Sequence, residues 1–143
     1  MLNDKRLEIE SALLAAYFPN VKIQGTRGQP DHCALGWVRT MGGTWYPVWL
    51  PLGKFPAAPP PLHVLTPLKT PLGQNLADLG VRHDWHTLAP QAGHVRICHY
   101  TSSKWTESVT LYKVLIKGLV WLQCYEAALA RGGTVDTFVR TMA

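Results

Sequence analysis

The chain is expected to adopt an α+β fold, on three observations. Stretches with helical spacing stand at both ends, strand-like runs divided by turn residues fill the part between, and helix and strand nowhere alternate as βαβ units. Its 143 residues suit a single domain, 1–143, with enough chain to bury a core. An apolar fraction of 47% with 16% charged residues belongs to a folded globular protein and not to a disordered one.

Residues 3–17 read as a helix with Asn3 as its cap. Leu7, Ile9, Ala12, Leu13, Ala16 and Tyr17 give it an apolar side, and Pro19 ends it. Val21–Gln24 is a short strand, and Gly25–Pro30 is a turn-rich link. Cys33–Arg39 and Thr44–Leu50 read as strands joined by a hairpin turn at Met41-Gly42-Gly43. Pro56–Pro61 holds four prolines in six residues, which excludes a helix or a central strand. Leu62–Thr66 is the next strand, completing four in an antiparallel meander.

Residues 67–95 are rich in Pro and Gly and show little periodicity. A loop of this length inside a compact domain usually has a function or short local structure, and this one leads directly to Cys98. The strongest helix spans Val109–Ala130, with Leu111, Val114, Leu115, Leu119, Leu122, Tyr125 and Leu129 at spacings of three and four. Ser108 is its expected cap and Gly132 its stop. Thr134–Met142 reads as a last short helix.

Charge and cysteine usage narrow the function classes. The formal charge of +5 comes without any run of like charge or basic stripe with interleaved aromatics. That pattern favours an acidic protein partner over nucleic acid. Asp4, Lys5, Arg6, Glu8 and Glu10 stand where the apolar core of a signal peptide would lie. Val114–Leu122 is far short of the ~20 apolar residues of a membrane span. Three cysteines with no CxxC pair imply reduced thiols, and the cytoplasm is the expected compartment.

Cys98 is the leading candidate for chemistry. It lies between an extended run and a loop, with Trp105 seven residues on and a rigid helix soon after. Thiolate is the strongest nucleophile among side chains at neutral pH. The bland alternative is a small buried hydrophobe, which suits Cys33 in its strand and Cys124 in its helix. His99 adjoins Cys98, but neighbours in an extended chain face opposite sides, so it would favour the thiolate or a partner rather than take the proton directly. Backbone amides, or the side chains of His83, His86 and His94 with His86 foremost, are candidate donors to an oxyanion. Tyr100, Trp105, Trp85 and Asp84 are candidates to line the site, with Asp84 able to orient an incoming amine. His83-x-x-His86, with His94, Cys98 and Asp84, is only a loose zinc spacing, and no metal is expected. No Gly-rich phosphate loop or Ser-His-Asp order stands out, so neither ATP nor another cofactor is expected.

Several segments carry a family resemblance. They are Ile97-Cys98 with Trp105 and Thr110-Leu111 behind it, Tyr46–Pro51, and Phe55-Pro56-Ala57-Ala58-Pro59-Pro60-Pro61 running into Leu62-His63-Val64. They are similar to the active-site segment, strand, proline turn and next strand of ubiquitin-conjugating enzymes, with Phe55 where the family has tyrosine. Trp121-Leu122-Gln123-Cys124-Tyr125-Glu126, closing at Arg131-Gly132-Gly133, resembles the bacterial branch found in anti-phage (CBASS-type) and bacterial ubiquitin-like modification operons. The resemblance covers roughly residues 44–133. The family's His-Pro-Asn triplet has no counterpart, since no Asn lies between Asn75 and Cys98.

The resemblance implies the ubiquitin-conjugating fold: N-terminal helix, four-stranded antiparallel meander, active-site loop and C-terminal helices. It implies a cis X-Pro bond among Pro59, Pro60 and Pro61. It also implies that Cys98 takes the C-terminus of a protein as a thioester from a partner resembling an activating enzyme and passes it to an amine on a target. The cargo implied is a ubiquitin-like protein or a cGAS-like nucleotidyltransferase. The alternatives are a non-catalytic binding module of the same fold and, further off, a zinc-binding or cysteine hydrolase domain.

Overall fold

The computed structural model describes residues 2–99 and 102–142. It is an α+β structure with an N-terminal helix, one antiparallel sheet and helices at the C-terminal end. Helix α1 (Asp4–Tyr17) starts where expected, and the Asn3 side chain accepts from the Arg6 amide at 2.8 Å. Its inner face is not the expected stripe. Ile9 and Tyr17 are 46% and 60% exposed, and Ala12 and Ala16 also face outward. Leu14 and a carboxylate, Glu10, are the buried residues instead. Arg6 explains the rotation: its Nε donates to Glu10 Oε2 at 2.7 Å, so the polar pair i, i+4 turns inward together.

The sheet has six strands, not four. They are β1 (Val21–Gln24), β2 (Cys33–Arg39), β3 (Trp45–Pro51), β4 (Leu62–Val64), β5 (Thr87–Gln91) and β6 (His94–Ile97), in spatial order β1-β2-β3-β4-β6-β5. Strand β5 comes from the segment expected to be loop, and β6 joins the end of that segment to the extended run expected just before Cys98. Its Gln91↔His94 pair is closed by Ala92 and Gly93 at φ +54° and +76°. Positive φ at both central residues is the signature of a type I′ turn, which Asn-Gly normally announces and Ala-Gly does not. Pro90 is tolerated because β5 is the sheet edge, and the ladder is irregular between Leu88 and Gln91.

Alternation sorts the strands. Val48, Leu50, Leu62, Val64, Val95 and Ile97 are buried in one core cluster. Helix α2 (Leu111–Arg131) is capped by Thr110, whose hydroxyl accepts from the Lys113 amide at 3.3 Å, and not by Ser108. Gly132 stops it at φ +81°. At Gly118 the helix comes so close to β4 that a Cβ would fall 2.5 Å from Leu62 Cδ2. Helix α3 (Val135–Met142) packs back on α2, and Val135 is buried. The cis peptide is Phe55–Pro56, and the bonds at Pro59, Pro60 and Pro61 are trans, contrary to expectation.

The same α2 face ties down the loops. Tyr125 Oη accepts from the Lys69 amide at 2.9 Å and donates to its carbonyl at 2.7 Å. Trp121 stacks on Tyr125 and donates to the Trp85 carbonyl at 2.9 Å. Glu126 accepts from Thr40 at 3.0 Å and Tyr46 at 2.8 Å, which holds the β2–β3 hairpin.

A left-handed φ is costly for alanine and mild for asparagine. Ala92→Asn should therefore stabilise the fold by about 0.5–1 kcal/mol and raise the melting temperature by a few degrees. Thermal unfolding checks this, and a lower midpoint would exclude the two-residue turn.

Candidate functional site

Cys98 is the first residue after β6. Strand pairing of Leu62 with Ile97 and of Thr87 with Ile97 fixes the backbone just before it. The Cys98 amide donates to the His86 carbonyl at 2.9 Å, so that amide is already engaged and does not face an incoming carbonyl. The thiol is free of any disulfide and half-buried. The site is therefore a cysteine on rigid strand-end backbone, at the start of the loop leading to α2.

Two anchors hold that loop against the proline turn. His99 Nε2–H donates to the Pro60 carbonyl at 2.7 Å. Trp105 Nε1–H donates to the Pro56 carbonyl at 2.8 Å, and its ring meets Phe55 edge-on at 6.2 Å. The Arg6 guanidinium also lies over the Phe55 ring, 5.2 Å from its centre. His99 thus acts on the shape of the loop.

The remaining candidates are scattered around Cys98. His86 meets Cys98 through its carbonyl, and its ring Nε2–H donates to Asp136 on α3 at 2.8 Å. It does so from φ +50°, a left-handed backbone conformation that aims the side chain off the strand direction. The His83 ring is 5.3 Å from His86 and exposed to solvent. His94 stands at the far end of β6, beside the Ala92-Gly93 turn. Asp84 is paired with Arg82 at 2.9 Å, and its carbonyl accepts from the Asp136 amide. Trp85 is buried against Tyr125. Tyr100 lies outside the described residues. Among the described residues, no group of three His, Cys, Asp or Glu side chains is placed to hold a metal ion.

A cleft of about 550 Å³ is lined by the two neighbours of Cys98, Ile97 and His99, and not by Cys98 itself. Its walls are Pro51, Gly53 and Lys54, the proline turn 58–61, and Leu88, Arg96, Ile97 and His99 from the β5–β6 side. Cys98 sits between two of these lining residues. Sequence reading missed Arg96, Lys54 and Asp136. Arg96 had a signal: it is a cation set between the apolar Val95 and Ile97 just before Cys98.

Comparison of the chain with family models, with curated proteins and with solved structures gave no significant match. Among the described residues, no helix is long and apolar enough to cross a membrane.

Two histidines near the site are held neutral. His63, buried in β4 with Nδ1–H donating to the Trp49 carbonyl at 3.3 Å, has its pKa lowered by burial, and the Arg96 charge adds to this. His99 is lowered in the same way by burial, with Arg96 and Lys117 adding to it. Both groups bind protons more readily in the unfolded chain, near ~6.5. Their contribution is therefore intact above that value and is lost as pH falls below it. The urea midpoint should drop between about pH 7.5 and 5.5, and less steeply in His63→Gln and His99→Gln than in the parent. Equal slopes in all three proteins would show that neither histidine is destabilised by its proton.

Proposed function

We propose that this chain is a ubiquitin-conjugating-like acyl carrier, with the fold of that family extended by the β5–β6 hairpin. The order α1, meander β1–β4, proline turn, cysteine and long helix supports the reading. The observation that carries it is the placement of Cys98. A free, half-buried thiol stands at a strand end, and the residues either side of it, Ile97 and His99, line an open cleft.

In the proposed cycle the Cys98 thiolate attacks the acyl carbon of a thioester on an activating-enzyme-like partner. The new C–S bond forms as the partner's C–S bond breaks, and the partner's sulfur leaves with the electron pair. An amine nitrogen on the target protein then attacks the Cys98 thioester. Cys98 leaves as thiolate, and the amine's proton passes to water or a neighbouring base. The cargo is the C-terminus of a ubiquitin-like protein or of a cGAS-like nucleotidyltransferase, in a bacterial anti-phage or protein-modification setting. Within the site His99 and Trp105 position the loop, and the His86–Asp136 pair is the candidate imidazole set to serve the oxyanion or the amine proton.

The competing reading is a binding module of the same fold. The engagement of the Cys98 amide by His86 and the absence of an asparagine before Cys98 favour it. Mixing the protein with its activating partner and cargo separates the two. Cys98→Ala should abolish a reductant-sensitive adduct, and Cys33→Ala and Cys124→Ala should keep it. A thiol-labile adduct on Cys98→Ser protein would remove Cys98 from the role, and no adduct on the parent would leave the binding module. Once thioester is preformed, His86→Ala should slow its discharge to a free amine by about tenfold or more without changing loading. Unchanged discharge would take the His86 ring out of the mechanism.

A further inference from the structure

The cleft beside Cys98 carries a charge pattern that the acyl-carrier reading does not require. Lys54 and Arg96 are the two side chains in its wall that are charged at neutral pH, and no carboxylate lines it. Three other arginines are matched: Arg6 with Glu10, Arg27 with Asp4, Arg82 with Asp84. Arg96 and Lys54 form no ion pair among the described residues. Arg96 Nε is buried from solvent and donates to no acceptor there either. A buried guanidinium nitrogen with no acceptor is rare in a folded protein and calls for an explanation. The two histidines facing Arg96, His63 and His99, are held neutral by burial, so they neither share nor offset its charge.

The geometry points to a carboxylate-binding subsite formed by Arg96 and Lys54, which takes an acidic side chain from the C-terminal tail of the protein delivered to Cys98. Arg96 sits two residues before Cys98 on β6, and Lys54 faces it from across the cleft, on the loop after β3. Both side chains line the cleft, so an extended tail lying in it meets two cations where it passes Ile97 and His99, the neighbours of Cys98. A planar guanidinium is the group best matched to a carboxylate, through two parallel N–H···O bonds. The subsite rests on the acyl-carrier reading for its cargo, and it selects among cargoes by the residues just before the small C-terminal one.

The test uses labelled peptides ending in Gly with an amidated terminus, each carrying a Glu or a Gln at one of the preceding positions. Their binding to Cys98→Ala protein is read by fluorescence anisotropy, so no covalent step is involved. At one position the Glu peptide should bind about tenfold more tightly than its Gln counterpart. That preference should disappear in Arg96→Gln, shrink in Lys54→Gln and persist in part in Arg96→Lys. Far-UV circular dichroism verifies that each variant folds, and Lys54→Gln on its exposed loop gives a second reading that does not touch the sheet. Equal binding of Glu and Gln peptides overturns the subsite. So does a preference that survives Arg96→Gln, or binding that requires a free terminal carboxylate and ignores the side chain. A Glu preference with no thioester on the parent protein removes the acyl-carrier reading and keeps the cleft, and thioester formation without any Glu preference does the reverse.

Discussion

Glu10 is a carboxylate with no exposed surface, and groups from opposite ends of the chain hold it. Arg6 donates to one oxygen from the preceding turn of α1, and the Leu111 amide, the first of α2, donates to the other at 2.8 Å. Arg6 also reaches the carbonyls of Glu107 and Val109 and covers Phe55. A buried charge is tolerated only when its partners and hydrogen bonds are complete, and removing one member of such a pair costs about 3–5 kcal/mol. The consequence here is positional. The pair locks the end of the loop that begins at Cys98, and through Phe55 and Trp105 it locks the proline turn that holds His99.

The other end of the loop is set by the sheet. The β5–β6 hairpin supplies the Cys98 backbone, its partner His86 and the cationic Arg96, so the site depends on a strand pair as much as on the cysteine. Helix α2 completes the frame: Gly118 lets it approach Leu62, and Trp121 and Tyr125 hold the connection that leads from β4 into the hairpin. Trp121 and Tyr125 belong to the buried face of this helix with Leu111, Val114, Leu115, Gly118, Leu122 and Ala128, and they add hydrogen bonds to its apolar contacts.

Much of this was legible in the residues, and what was not has identifiable causes. Caps and turns were readable at Asn3, Gly43 and Gly132, and β1 and β2 were bounded correctly by Pro19, Gly25 and Gly42. The face of α1 was misread because Arg6 and Glu10 look like a solvent pair until the start of α2 is placed above them, a long-range fact that periodicity does not contain. The β5–β6 hairpin was missed because Ala92 adopts a conformation that alanine disfavours and Pro90 masks an edge strand. Cys98 stood out locally, whereas Asp136 and Lys54 come to its neighbourhood only through tertiary structure.

The role given to the Arg6–Glu10 pair is tested most directly by hydrogen exchange in Arg6→Met protein. Exchange should rise across residues 107–111, the Leu111 amide foremost, while the β2–β3 hairpin held by Glu126 keeps its protection. Protection of residues 107–111 equal to that of the parent would mean that the loop behind Cys98 is held by something other than the buried pair.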